Sequence, residues 1–375
     1  MKILAIFPGL NPKYDDLAHA IQELVTLGHQ VMVVAARTSE LKSKEVGELF
    51  EEVKGVSYYR PFYTAKEMLA NGLKVSDEIV ENVKAFAPDV VFASSFRGLN
   101  VGKALARAGI KVPMVMRVEH LDPIHAIYGR RRYLSISWLG RLLGRVKWRA
   151  NAKYLSGVVT TNAADLYAKN EHPYLEGRIF YAPHCNQLPS LNATAPARDK
   201  NLMVYIGSLI RDKNCERWLD SVGPIFDKTP VERFLIVGDG PYRHVVDALQ
   251  KRFGNRIEHI ASLPRTEALE TLRSGYFAYT EAQYGWGFIG DCWATATPLL
   301  APQSTYGLVK NFDALKPATR DTMLADINRL YSDPAFHEDL ALNGYKRYQN
   351  NHTAHIVARH YEAAIKSVMN YDKVE

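Results

Sequence analysis

From Gln283 to Ala301 the chain reads Gln-Tyr-Gly-Trp-Gly-Phe-Ile-Gly-Asp-Cys-Trp-Ala-Thr-Ala-Thr-Pro-Leu-Leu-Ala, and these residue types suit a phosphorylated ligand. Gly285, Gly287 and Gly290 would let backbone approach that ligand, because no Cβ stands in the way. A helix starting near Ile289 would aim free N–H groups and a partial positive charge at a phosphate or diphosphate. Asp291 in its first turn could accept hydrogen bonds from hydroxyls. Gln283, Tyr284, Trp286, Phe288 and Ile289 complete the candidate substrate-binding set. The plain alternative is a Gly-rich turn between strand and helix, such as any α/β protein carries.

These residues need a scaffold, and the chain supplies a repeated strand–helix rhythm. Lys2 to Phe7 is a short apolar strand ending in the Gly and Pro of Pro8-Gly9-Leu10-Asn11-Pro12. Asp15 to Leu27 has apolar residues at helical spacing and stops at Gly28. Gln30 to Ala35, Pro88 to Ala93 and Val112 to Val118 are continuous apolar runs, as parallel strands covered on both faces require. Gly157 to Thr161 and Arg178 to Ala182 close this half. Ligands of such sheets bind outside the carboxyl ends of the strands, which puts the Gly9 loop, Ser94 to Arg97 and Glu119 to Asp122 on one rim.

A second series begins near Asn201, with strands at Met203 to Ile206, Phe234 to Val237, Ile257 to Ala261, Tyr276 to Tyr279 and Pro298 to Ala301. Asp321 to Asp333 and Thr353 to Val368 read as closing helices. The expected organisation is an α/β chain of two doubly wound domains, 1–186 and 201–350. A linker would span 187–200, and a C-terminal helix within 351–375 would pack back toward the first domain. At 375 residues the chain is too long for one ordinary core. It is 47% hydrophobic and 23% charged, the balance of a globular protein, and no window is apolar enough for a transmembrane helix. The N-terminus is too short for a signal peptide and reads as the first strand. Three scattered cysteines, Cys185, Cys215 and Cys292, point to reduced thiols in a cytoplasmic protein and give no metal-ligand spacing. A net charge of +7 favours anionic partners.

The Gln283–Ala301 segment resembles the nucleotide-sugar signature of the GT4-type family of retaining GT-B glycosyltransferases: Glu, any seven, Glu, around Gly-Phe-Gly, then small residues and Thr-Pro. The glycines and Thr297-Pro298 match; the acids do not, since Gln283 or Tyr284 takes the first glutamate's place and Asp291 the second's. Further strings fall in family order: Leu27-Gly28-His29-Gln30-Val31, Ala87-Pro88-Asp89-Val90-Val91, Pro183-His184-Cys185-Asn186 where members carry Pro-Asn-Gly-Val, and the strand from Phe234 running into Gly238-Asp239-Gly240-Pro241. The resemblance implies the GT-B architecture, two Rossmann-like domains facing a cleft. It also implies a UDP- or GDP-sugar donor (UDP-glucose among them) as substrate, no cofactor, and retention without metal.

It further implies roles. Lys213 would hold the donor diphosphate; Ser208 stands where the family has a helping arginine, and Arg211 would replace it. Fixed cations there stabilise the charge that develops on a departing diphosphate. His120, after the strand ending at Val118, would approach the transferred sugar, with Glu119 and Asp122 beside it on the rim. Asp291 would grip the ribose. Each of these has a bland counterpart, a solvated loop charge or a histidine packed at a strand end.

The acceptor is addressed by a basic stretch. Arg130, Arg131 and Arg132 precede a helical pattern in which Arg141, Arg145 and Arg149 form one stripe and Leu139, Leu142, Leu143 and Val146 another. Such a helix either packs its apolar stripe on its own domain or meets an anionic membrane surface, with a lipid-linked or cell-surface glycan precursor as acceptor. A nucleic acid is the third reading, including glycosylation of modified bases in viral DNA. The missing first acid also leaves open a catalytically impaired protein that binds nucleotide sugar. An unrelated Rossmann enzyme is disfavoured, because Pro8-Gly9-Leu10-Asn11 stands where Gly-any-Gly-any-any-Gly would follow the first strand.

Overall fold

The computed structural model describes residues 1–12, 15–38, 47–69, 73–119, 121, 137–162, 172–188, 197–282, 286–302, 316–318 and 320–371. Two compact units emerge, one of Met1–Cys185 with Ala354–Glu375, the other of Asn186–Thr353.

The first unit is built on β1 (Lys2–Ile6), β2 (Gln30–Thr38), β3 (Phe50–Val53), β4 (Val56–Thr64), β5 (Val90–Ser94), β6 (Met114–Val118), β7 (Gly157–Thr160) and β8 (Ile179–Tyr181). They lie in the order β3-β4-β2-β1-β5-β6-β7-β8, and only β3 and β4 pair antiparallel. The two-residue side-chain period divides the core. Leu4 and Ile6 join one cluster with α2 (Asp77–Phe86), α3 (Ser95–Arg107) and α4 (Ser137–Ala152). Ile3, Ala5 and Phe7 join another with α1 (Asp16–Thr26) and the C-terminal helix Ala354–Tyr371. Both faces are covered, which explains why the central strands are apolar without alternation. That helix is tied to the first unit by polar contacts too: His29 Nε2 meets Glu362 at 3.0 Å and His355 meets Glu23 at 3.2 Å.

The hairpin β3–β4 escapes the strand reading. Phe50-Glu51-Glu52-Val53 is half charged, and its turn is Lys54-Gly55 with both φ angles positive, 52° and 77°. That is the two-residue geometry that matches strand twist.

The second unit carries six parallel strands, β9 (Asp199–Ile206), β10 (Arg233–Val237), β11 (Ile257–Ile260), β12 (Gly275–Tyr279), β13 (Leu299–Pro302) and β14 (Lys316–Ala318), ordered β11-β10-β9-β12-β13-β14. Around them lie α5 (Trp218–Lys228), α6 (Arg243–Phe253), α7 (Arg265–Ser274), α8 (Trp286–Ala294) and the helices Arg320–Ser332 and Pro334–Asn351. β9 reaches back to Asp199, so the last two residues of the expected linker are strand, while 189–196 lie outside the described residues. Helix Pro334–Asn351 and strand β14 have no counterpart in the sequence reading. Among the described residues no helix is long and apolar enough to cross a membrane.

Candidate functional site

In the second unit the strand order reverses beside β9, which has β10 on one side and β12 on the other. Ligands of open α/β sheets bind at such a switch point, outside the carboxyl ends of the strands. Two loops meet there. The first, Gly207 to Asn214, leaves β9 and includes the short turn Arg211–Lys213. Lys213 is half-buried, whereas Ser208 and Arg211 are exposed. The second leaves β12. Asn214, whose φ of 51° ends the lysine's turn, donates from Nδ2 to Glu281 O at 2.9 Å and ties the two loops together.

Neighbouring glycines have a steric reason. The loops after β9 and β10 cross so closely that a Cβ on Gly238 (φ 145°) would lie 1.9 Å from Gly207 O. The bonds Gly207 N–Val237 O and Leu209 N–Asp239 O, each 2.9 Å, stitch the crossing. The Gly-Asp-Gly-Pro string thus fixes the loop that carries Lys213.

α8 begins at Trp286, earlier than expected, so Asp291 falls in the second turn rather than the first. The N–H groups of Trp286, Gly287 and Phe288, in the first turn, have no intrahelical acceptor and make an end that suits an anion. Phe288 and Ile289 are buried in the core, Phe288 against Tyr205 with ring centroids 5.2 Å apart, so only their backbone can meet a ligand. A Cβ on Gly287 would meet open space. Gly290 does a different job from the one expected: a Cβ there would stand 2.0 Å from Asn186 Oδ1, so this glycine admits Asn186, not a ligand.

Asp291 is 8% exposed and already engaged. Arg265, the first residue of α7, donates to both its oxygens, Nη1 to Oδ2 at 2.5 Å and Nη2 to Oδ1 at 2.6 Å. Asn186 Nδ2 adds a third bond to Oδ1 at 3.3 Å and also holds Gly287 O at 3.1 Å. An open carboxylate in the first turn, as expected for gripping ribose, is not what the fold presents. A carboxylate that local spacing missed is Glu281, which accepts from the Tyr279 hydroxyl and pairs with Arg217 at 3.8 Å. Burial, and then Glu281, push the Tyr279 phenol well above its ordinary range. Gln283, Tyr284 and Gly285 lie outside the described residues.

In the first unit a cavity of about 450 Å³ opens at the carboxyl ends of β1, β5 and β6, again at the switch point. Gly9 and its neighbours, Ser94, Ser95, Arg97, Arg117, Glu119 and His184 line it, with Asp15 and Asp16 from the start of α1. Ser95 holds φ 59°, a left-handed conformation that costs a non-glycine residue and recurs at ligand sites. Of the rim expected from sequence, Gly9 and Glu119 are in place; His120 and Asp122 lie outside the described residues. Arg117, read only as part of a strand, is a 7%-exposed cation on this cavity, and its one signal was a charge inside an apolar run.

α4 turns inward through Gly144, Trp148, Asn151 and Ala152, with Trp148 fully buried against Phe96 at 5.0 Å between centroids. Of the apolar stripe expected either to pack inward or to meet a membrane, Leu142 (48% exposed), Leu143 (45%) and Val146 (60%) face outward, while the Leu139 side chain lies outside those described. Arg141, Arg145 and Arg149 are exposed beside it, while Arg130, Arg131 and Arg132 lie outside the described residues. Among the described residues no three His, Cys, Asp or Glu side chains gather as a metal site.

Known proteins place this geometry. Residues 16–166 match the Glycosyl transferase 4-like domain family. The sulfoquinovosyl transferase SQD2 of Arabidopsis thaliana is 26% identical over 262 residues, 65% of this chain and 47% of that protein. The chain therefore spans about half the length of the curated relative it matches. Sucrose-phosphate synthase from Thermosynechococcus elongatus superposes with a TM-score of 0.74 at 16% identity, covering 99% of this chain and 100% of that one. The UDP-forming α,α-trehalose-phosphate synthase from Burkholderia xenovorans, in complex with glucose-6-phosphate, gives 0.70 at 12% identity over 98% and 100%. The chain has the GT-B fold, and residues 16–166 of its first unit are similar to the Glycosyl transferase 4-like domain.

Proposed function

We propose that the protein transfers a sugar from a UDP- or GDP-sugar, bound by the second unit, to an acceptor hydroxyl bound by the first. What carries the reading is that the Lys213 loop is tied through Asn214 to Glu281, in the loop leaving β12 at the switch point of the second unit. Lys213 and Arg211 would neutralise the diphosphate as its bond to the sugar breaks, together with the N–H groups at the start of α8. Cationic side chains then do the work of charge neutralisation, and the reaction proceeds with retention. The relatives' names support UDP in particular, since one is UDP-forming. Ribose recognition falls to Glu281 and backbone groups, with Asp291 bracing α8 through Arg265.

The acceptor is a glycan precursor, lipid-linked and presented at an anionic membrane face. The exposed Leu142, Leu143 and Val146 beside exposed arginines support this, because an apolar stripe flanked by cations gains from both acyl chains and headgroups. Incubating the protein with UDP-glucose, other UDP-sugars and GDP-sugars, and following nucleotide release, tests the donor. Thermal shift tests binding alone, since a ligand at about 100 times its Kd adds about 2.7 kcal/mol of stability. Nucleotide-dependent stabilisation without turnover would favour the second reading, a nucleotide-sugar-binding protein with impaired catalysis, which the occupied Asp291 carboxylate motivates. Sedimentation with anionic vesicles, against DNA at low salt, tests the surface.

A further inference from the structure

We propose that the cavity of the first unit selects an acceptor carrying a phosphate group, that Arg117 receives this phosphate, and that Tyr361 on the C-terminal helix positions Arg117. Only the word acceptor rests on the transferase reading; the binding step stands apart from it.

Arg117 is the penultimate residue of β6, is 7% exposed, and lines the cavity. A buried charge is costly unless paired and hydrogen-bonded. Yet among the described residues its guanidinium makes a single hydrogen bond, from Nε to the Tyr361 hydroxyl at 3.1 Å, and no ion pair. A phenol is a neutral partner, and Glu119 on the same cavity attracts the charge without an ion pair or hydrogen bond to it, so the Nη donors are left for something that enters the cavity. The remaining Nη–H donors form a planar fork, which matches two oxygens of one phosphate.

The rest of the lining narrows the class. Glu119, Asp15 and Asp16 are also present, and a purely anionic ligand would meet repulsion from them. Asp15 spends one oxygen on Asn11 N at 2.5 Å. Carboxylates accept from hydroxyls, whereas a guanidinium donates to phosphate oxygens. A polyol bearing one phosphate satisfies both kinds of group at once, and a sugar phosphate or a glycerophosphate headgroup shares that chemistry. About 450 Å³ is room enough for either.

Tyr361 is fully buried in the core between the sheet and its covering helices, its ring 4.9 Å from Phe92. Its hydroxyl therefore has little freedom, and a bond 244 residues long in sequence fixes one edge of Arg117. The other edge is thereby held for the ligand.

Calorimetry on the full chain tests this with glucose 6-phosphate against glucose, and glycerol 3-phosphate against glycerol. In at least one pair the phosphorylated compound should bind about tenfold tighter or more. Preference for the first would mark a soluble sugar phosphate, for the second a lipid headgroup; either supports the proposal. Arg117→Gln should reduce the preference to near unity, and Arg117→Lys should keep part of it. Tyr361→Phe, which preserves shape, should weaken only the phosphorylated compound, several-fold, with UDP binding unchanged. The proposal fails if neither phosphate is preferred or if Arg117→Gln leaves the preference intact. The positioning role fails if Tyr361→Phe weakens glucose and glucose 6-phosphate equally. Absence of UDP binding would instead sink the transferase reading and leave the phosphate clamp standing.

Discussion

Replacing Arg265 by Met keeps the aliphatic stem and removes the charge that faces Asp291. Arg265 opens α7, where a cation opposes the helix dipole, so its place there serves Asp291 and not its own helix. Removing one partner of a well-buried ion pair costs about 3–5 kcal/mol. Here the Asp291 side chain is 12% exposed but that of Arg265 is 40% exposed, so water already screens part of the attraction. Asn186 also keeps one bond to Asp291. Discounting by roughly half gives about 2 kcal/mol, or near 5 °C in the melting of a unit this size. Two units need not melt together, so the readout should belong to the second. Trp218, Trp286 and Trp293 report on it, once Trp138 and Trp148 of the first are changed to Phe in a common background. Asp291→Asn and the double variant complete a cycle, with an expected coupling of about 1–2 kcal/mol. A loss under about 0.5 kcal/mol for Arg265→Met, with no coupling, would refute the argument that the pair braces α8. The cycle also addresses ribose. If bracing is the role, both single variants weaken UDP binding alike; if Asp291 grips ribose itself, Asp291→Asn alone does so.

Lys213→Ala should lower donor turnover by about 10²–10³-fold while the melt is unchanged, which steady-state assay and circular dichroism check together. Gly238→Ala should destabilise the second unit by about 3 kcal/mol or more, since its Cβ would stand 1.9 Å from a carbonyl oxygen that sits in backbone; urea unfolding measures it. Burial pushes the Cys215 thiol from its ordinary 9.0 to about 11. The raised value means the native state keeps the proton longer than the unfolded chain, so this contribution is complete below pH 9 and is lost as pH rises toward 11. Urea midpoints between pH 8 and 11 should fall less steeply in Cys215→Ala than in the parent.

Central strands were legible because double coverage makes them apolar runs, as in Val90-Val91-Phe92-Ala93. The hairpin β3–β4 was not, because an edge strand needs no such run and Glu51-Glu52 breaks the pattern. The glycine motif falls at the start of α8, which begins three residues before the expected Ile289, and the partners of its Asp291 come from afar. Arg265 lies 26 residues upstream of Asp291 and Asn186 lies 105, separations that local periodicity cannot register. Trp148 shows the converse. Its helix has a conspicuous leucine stripe, yet the inward face is the Gly144-Trp148-Asn151-Ala152 row, because shape fit against Phe96 and His172 outweighed the apolar count.

Because helix Ala354–Tyr371 belongs to the first unit while residues 186–353 form the second, a ribosome making this chain finishes the two units in the opposite order to that in which it starts them. The first nascent sheet leaves the exit tunnel with one face covered by α1 alone: Ile21 and Leu24 of that helix and Phe92 of the sheet must wait for Val357, Ala358 and Tyr361. During that interval, at about 5–20 residues per second, some ten to thirty seconds pass. Chaperones that hold exposed apolar faces should therefore engage chains stalled at residue 353 and release chains extended past residue 371. The cavity of the first unit gains the Tyr361 hydroxyl that holds its Arg117 only with that helix, so a chain stopped at residue 353 lacks this bond.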